Sequence, residues 1–179
     1  MNTAIERKIA VIFATDVVGY SKHIETDENA TIKSLRACES LLKDLFEKYK
    51  ARLFNTGGDS FFGEFESAVA AVECAVEFQN AIKRRNKTAD ATVKLEFRIG
   101  INVGDVIKEK GNLLGDGVNI AARLESLAQA SGISISKGIF EYVSSKTKLS
   151  FADQGVQQVK SNKFHVYDIV LHPSQKRSL

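Results

Sequence analysis

Cysteine, proline and long apolar runs are scarce in this chain. Only two cysteines occur in 179 residues, and neither Cys38 nor Cys74 belongs to a metal-type spacing. Nothing in the cysteine usage points to a disulfide framework or a cysteine zinc site. Both cysteines fall among apolar neighbours in helical patterns, where a free thiol behaves as a small hydrophobe. A reducing compartment follows, and the expected location is cytoplasmic. The one proline, Pro173, comes near the end and marks the start of a frayed tail. No stretch approaches the roughly 20 apolar residues of a membrane span, and the opening Met1 to Lys8 has no hydrophobic signal core. No membrane contact is expected from the chain itself. The net charge is only +3 and, apart from Lys83-Arg84-Arg85 and Lys176-Arg177, it is spread out, so no nucleic-acid partner is implied. What remains is an ordinary soluble composition, long enough for one domain with its own core, without internal repeats.

Two stretches organise that domain. Ile9 to Ala14 is a β-branched, apolar run that reads as a buried strand and ends in Thr15-Asp16, followed at once by Val17-Val18-Gly19. Arg52 to Asn55 and Ser60 to Phe65 read as a hairpin turned by Gly57-Gly58, with Asp59 at its tip. If both belong to one sheet, two carboxylates meet at one edge beside a turn with free backbone N–H groups. Hard oxygen ligands of this kind suit magnesium and a metal-bound polyphosphate. Taken singly, each aspartate is as well explained as a turn former.

Between and after these stretches the periodicity predicts a helix from Thr26-Asp27-Glu28-Asn29 through Tyr49. A second opens at Glu66-Ser67 and closes in a polar loop around Lys83 to Asp90. Alternation from Thr92 to Asn102 predicts a strand, turning back as a hairpin arm over Gly104 to Gly111. A third helix is expected over 117–128, then a short strand over 132–136 and a short helix over 137–145. Strands around Phe151, from Val156 to Lys160 and from Phe164 to Leu171 complete the pass. The order β-α-β-β-α-β is the ferredoxin-like split unit, an α+β core with an antiparallel sheet and helices on one face, extended here by a C-terminal αβ portion. The expected domain limits are 1–7 for a lead-in, 8–171 for the domain and 172–179 for a tail.

The third helix carries a second signal. Asn119 and Arg123 are four apart and share a face, with small Ala121 and Ala122 beside them. An amide and a guanidinium so placed can clamp a ribose oxygen and a phosphate, because Arg offers several donors in a fixed fork. The plain alternative is an amphipathic helix with two polar residues facing water.

Four strings taken together, Phe13 to Ser21, Thr56 to Asp59, Arg98 to Gly104 and Gly115 to Arg123, resemble the catalytic domain of class III nucleotidyl cyclases. The resemblance covers nearly the whole chain. It implies that Asp16 and Asp59, with the backbone of Val17, hold two Mg2+ or Mn2+ ions per site, and that the backbone of Val18, Gly19 and Tyr20 cradles phosphates. It also implies that Asn119 and Arg123 orient the ribose and stabilise the transition state, and that Lys160, or its neighbour Lys163, reaches the triphosphate. The two sets come from different subunits in this family, so a homodimer with two composite sites is expected, with a nucleoside triphosphate, ATP first, as substrate and 3′,5′-cyclic AMP and pyrophosphate as products. Asn55 and Asn112 stand where adenylate cyclases carry a lysine and an aspartate that read the base. An amide can donate or accept, so relaxed selectivity toward GTP, CTP or UTP is the alternative. The other alternative is an inactive nucleotide-sensing dimerisation domain. A diguanylate cyclase, suggested by Gly57-Gly58-Asp59-Ser60-Phe61, is disfavoured by Ser60 in place of an acid and by the Asn119/Arg123 helix.

Overall fold

The computed structural model describes residues 5–88 and 92–179; part of the expected lead-in and of the loop from Lys83 to Asp90 lies outside the described residues. The elements are β1 (Glu6–Val17), α1 (Tyr20–Thr26), α2 (Glu28–Lys48), β2 (Arg52–Gly57), β3 (Ser60–Phe65), α3 (Ala68–Asn86), β4 (Phe97–Glu109), β5 (Asn112–Leu114), α4 (Asp116–Leu127), β6 (Ile133–Ser136), α5 (Lys137–Val143), β7 (Ser150–Val159) and β8 (Asn162–Val170), closed by a 3-10 turn at Pro173–Gln175. The strands form one sheet in the order β2-β3-β1-β4-β6-β8-β7, with β5 on β4. All pairs are antiparallel except β4 with β6. The expected α+β fold with its β-α-β-β-α-β core and C-terminal extension is therefore present.

Side-chain parity in the central strand β1 divides the molecule. Val11, Phe13 and Val17 face a large core shared with Leu35, Leu42 and Phe46 of α2, Val72, Phe78 and Ile82 of α3, and Ile139 and Val143 of α5. Phe13 packs edge-on against Phe46 at 5.3 Å and stacks with Phe65 at 5.7 Å. Cys38 and Cys74 are fully buried here, and burial raises their thiols to about 11 and about 12. Ala10, Ile12 and Ala14 face the other way, toward a smaller cluster with Val106, Leu113, Phe54, Phe62 and Val118, and with Ala121 of α4. Helices thus cover both faces, where the sequence pattern places them on one, because α4 folds back over the opposite side.

Asp27 caps α2 by accepting from Ala30 N, and Ser67 caps α3 by accepting from Ala70 N. Several expected limits move. The helix α1 has no counterpart among the expected elements, since its seven residues bury no side chain and so show no periodicity. The expected strand from Thr92 begins at Phe97 and runs straight through Gly104 to Glu109. Gly104 does not turn the chain; the turn falls at Lys110-Gly111, both with positive φ, where glycine permits it. The two strands expected before Lys160 are one, kinked by a bulge between Asp153 and Val156. The tail after His172 does not fray: it makes a 3-10 turn and side-chain bonds to the sheet and to α4.

Candidate active site

The register of three strands brings the two aspartates together. β1 and β3 pair Thr15 with Phe61, and the same register carried two residues on sets Val17 opposite Asp59. Val17 N–H donates to Asp59 Oδ2 at 3.2 Å. On the other side β1 pairs Asp16 directly with Arg98 of β4, and the Arg98 Nη2 lies 3.3 Å from both Asp16 oxygens. Thr15, 1% exposed, donates its hydroxyl to Arg98 O at 2.7 Å. One end of the sheet thus holds a compact charged cluster on the α4 side.

Glu125 is the member the sequence reading missed. It is 6% exposed and lies on the stripe Gly117, Ala121, Glu125 that α4 turns to the sheet. The Arg98 Nε is 3.2 Å from its Oε1, near enough for an ion contact, though the angle makes no hydrogen bond and leaves that oxygen unpartnered. A lone acid on an otherwise small and apolar helical stripe was the available signal. The helix comes this close because Gly100 has no side chain: a Cβ there would sit 2.2 Å from Glu125 N and 2.4 Å from Ala121 O. At the other end Asn102 Nδ2 donates to Gly117 O at 3.0 Å.

Electrostatics here are those of three acids around one guanidinium. Burial, then the hydrogen bond and like charge of Asp16, push the Glu125 carboxyl far above the usual carboxylate range, to about 9. Burial also raises Asp59, with Val17 N–H pulling against it and Asp16 adding to the rise. Carboxylates crowded in this way are stabilised by a bound cation. Asp16, Asp59 and the Val17 carbonyl are hard oxygen donors that fit a divalent ion. Among the described residues no group of three or more His, Cys, Asp or Glu forms a ready metal cage, so further ligands would come from water or phosphate.

The remaining expected residues separate in space. Gly19, in the left-handed region at φ 62°, is the N-cap of α1, whose first turn has no side-chain cap. Val18 N–H is not free as expected, because it donates to Glu96 O at 2.8 Å, where the chain preceding β4 passes alongside. Asn119 and Arg123 lie on the face of α4 turned away from its own sheet, about 160–200° around the helix from the Ala121 stripe. Arg123 Nη1 is nonetheless buried and has no hydrogen-bond partner among the described residues. Asn55 is exposed on β2. Asn112 starts β5, and its Oδ1 accepts from Leu113 N at 2.9 Å. Lys160 takes a positive φ in the exposed turn between β7 and β8, with Lys163 just beyond. Because β8 runs parallel to β1, this turn and Asn112 sit at the sheet end opposite Asp16, on the order of 30 Å away at ~3.3 Å per strand residue. One chain therefore gathers Asp16 to Tyr20 and Asp59 in one place, and Asn112, Asn119, Arg123 and Lys160 elsewhere.

Fold and acidic strand exit together define a class, the nucleotide-cyclase type of α+β domain. The chain belongs to the family described as the adenylate and guanylate cyclase catalytic domain, which it matches over residues 2–171. A Rhizobium meliloti protein with an adenylate cyclase designation is 42% identical over 159 residues, 88% of this chain and 27% of that protein. The adenylate cyclase of Streptomyces coelicolor is 30% identical, covering 76% of this chain and 34% of its own length. The chain thus spans about a third or less of these relatives. Among solved structures, an adenylate/guanylate cyclase/hydrolase from Silicibacter pomeroyi superposes with a TM-score of 0.86 at 30% identity, covering 94% of this chain and all of that one. The adenylyl cyclase CyaB from P. aeruginosa shares the fold with a TM-score of 0.82. No helix among the described residues is long and apolar enough to cross a membrane.

Proposed function

We propose that the chain converts ATP to 3′,5′-cyclic AMP and pyrophosphate at sites shared between two copies. The observation that carries this reading is the separation of the expected residues into two groups. Asp16 and Asp59 share one sheet end, whereas Asn119 and Arg123 point away from it on α4, Arg123 with a buried Nη1 lacking a hydrogen-bond partner among the described residues. A buried guanidinium nitrogen without a partner costs free energy, and a nucleotide held against a second copy satisfies it. Residues 8–171 form the catalytic domain in this reading.

In such a composite site Asp16, Asp59 and the Val17 carbonyl hold divalent metal, Mg2+ or Mn2+, two ions per site. A metal held there would lower the pKa of the ribose 3′-hydroxyl and offset charge on the triphosphate. The chain's own groups do the rest. The N–H groups of Gly19 and Tyr20 donate to phosphate oxygens, with Val18 contributing shape rather than a donor. Asn119 orients the ribose. Arg123 meets the charge that develops on the α-phosphate, and Lys160 or Lys163 pairs with the polyphosphate end. Asn55 and Asn112 face the base. The Asn112 Oδ1 accepts one backbone N–H and keeps a second lone pair, and its Nδ2 donates, so the amide can meet either purine. That capacity favours a second reading of the same site, in which adenine and guanine are discriminated weakly.

The deciding experiment incubates the chain with each of the four common ribonucleoside triphosphates and Mn2+, and identifies products by mass spectrometry. Cyclic AMP as the main product, with cyclic GMP as a lesser one, is expected. A linear or cyclic dinucleotide, or no pyrophosphate release from any of the four, overturns the proposal.

A further inference from the structure

Residues 173–179 lie beyond the family match, which stops at Leu171, yet they are hydrogen-bonded to the sheet and to α4. Arg177 donates from Nε to Asp168 Oδ2 at 2.8 Å and from Nη2 to Asp168 Oδ1 at 3.2 Å. Asp168, on β8, is 4% exposed and points to the α4 side of the sheet, its neighbours Tyr167 and Ile169 facing the large core. It also accepts from Ser134 Oγ of β6 at 2.9 Å and from Gln154 Nε2 at the β7 bulge at 3.2 Å. Gln154 in turn grips the tail backbone, donating to Arg177 O at 2.9 Å and accepting from Leu179 N at 2.9 Å.

The same Nη2 also reaches α4. It donates to Leu127 O at 2.6 Å, the carbonyl of the last residue of that helix and one of the groups no intrahelical bond satisfies. A cation there also complements the negative end of the helix dipole. Gln175 ties down the loop between α4 and β6: its carbonyl accepts from Gln129 Nε2 at 2.6 Å, its Nε2 donates to Ser131 O at 3.1 Å, and its Oε1 accepts from Leu171 N at 3.1 Å. One short segment thus joins β6, β7 and β8 to the C-terminal end of α4, the end that carries Arg123 and Glu125.

We propose that residues 173–179 are a strap that fixes the C-terminal turn of α4 on the sheet, with Arg177 as a positioning residue that acts through Leu127 on Arg123 and Glu125. A two-pronged guanidinium suits this task, because it holds a buried carboxylate through Nε and Nη2 and reaches a helix carbonyl from the same Nη2. The catalytic consequence rests on the role proposed for Arg123; the mechanical one does not.

The test compares the whole chain with Arg177→Ala, Arg177→Lys and Gln175→Ala by amide hydrogen exchange and steady-state kinetics. In Arg177→Ala, exchange in residues 121–132 is expected to quicken at least tenfold while α2 and α3 keep their protection, and kcat to fall about tenfold with the nucleotide KM within about twofold. Gln175→Ala, which leaves the Arg177–Asp168 pair in place, quickens exchange in residues 128–132 and at Leu171, whose N–H loses its acceptor, and not over 121–127. Arg177→Lys keeps the charge beside Asp168, so it stays folded even if the alanine variant does not, and still loosens the α4 end. Unchanged exchange over 121–132 in both Arg177 variants overturns the strap, as does a loss spread evenly over α2, α3 and α4. If the exchange changes as stated in a chain that makes no cyclic nucleotide, the strap stands and the proposed function falls.

Discussion

The two faces of the sheet differ in what they are made of and in what they can tolerate. Toward α2, α3 and α5 the strands present Phe13, Phe61, Phe97, Ile99 and Ile101, all at most 1% exposed, packed against long apolar side chains. Toward α4 they present a smaller apolar cluster around Ile12, Val106 and Leu113, and beside it alanine, glycine, Asn102, Asp16 and Arg98, and the helix answers with Gly117, Ala121 and Glu125. The first face supplies stability through buried area. The second gives up much of that burial so that a helix backbone can approach β4 and a charged cluster can sit beneath it. A charged cluster on one face is tolerable because the other face carries the larger apolar core.

Substitutions on each face should separate these two roles. The largest effect is expected at the acids: Asp16→Ala and Asp59→Ala reduce turnover about a thousandfold or more, and Arg123→Ala about a hundredfold, as for charged groups acting in a transition state. Circular dichroism should show the fold retained in all three. Wild-type rates in any of them would dissolve the contrast between the faces. Next comes Phe78→Ala on the thick face, where Phe78 meets Phe97 edge-on at 5.1 Å. It should destabilise by about 3–5 kcal/mol in urea unfolding while kcat per folded molecule is kept. A change in kcat as large as in Arg123→Ala would show that the thick face is not merely structural.

The smallest expected effect is a pH dependence of the metal-free chain. The Glu125 carboxyl is raised in the fold, first by burial and then by Asp16, so the folded chain keeps a proton that the unfolded chain releases. Its contribution to stability is full below the ordinary glutamate pKa and is lost as pH rises through the folded value of about 9. Urea midpoints measured across that window should decline in the wild type. Glu125→Gln, which cannot ionise, should flatten the slope; an identical slope would place the titration elsewhere.

Much of the first face was legible in the sequence because periodicity encodes it. The spacing of Leu35, Cys38, Leu42 and Phe46 predicts the buried stripe of α2, and the run before Asp16 predicts the central strand. The caps Asp27 and Ser67 sit where the residue types suggest. Less was legible where few residues carry the pattern. The helix α1 buries nothing, and β5 has only three residues, too few to show alternation. Gly104 reads as a turn former and instead continues a strand, because the space it leaves is used by Gly117 of α4, whose Cα would lie 3.4 Å from an added Cβ. The tail reads as frayed because nothing local predicts that Arg177 finds a carboxylate nine residues earlier, buried on β8.

By itself the sequence determined the β-α-β-β-α-β order of the core, most residues of the main core and the identity of the acids at the strand exit, since these depend on local periodicity and on which side chains are charged. The tertiary structure alone decided that Asp16 faces Arg98, that Glu125 joins them under a helix admitted by Gly100, and that Asn119 and Arg123 turn away from the acids of their own chain. Strand register and helix rotation set those relations, and both are fixed by contacts between segments far apart in sequence.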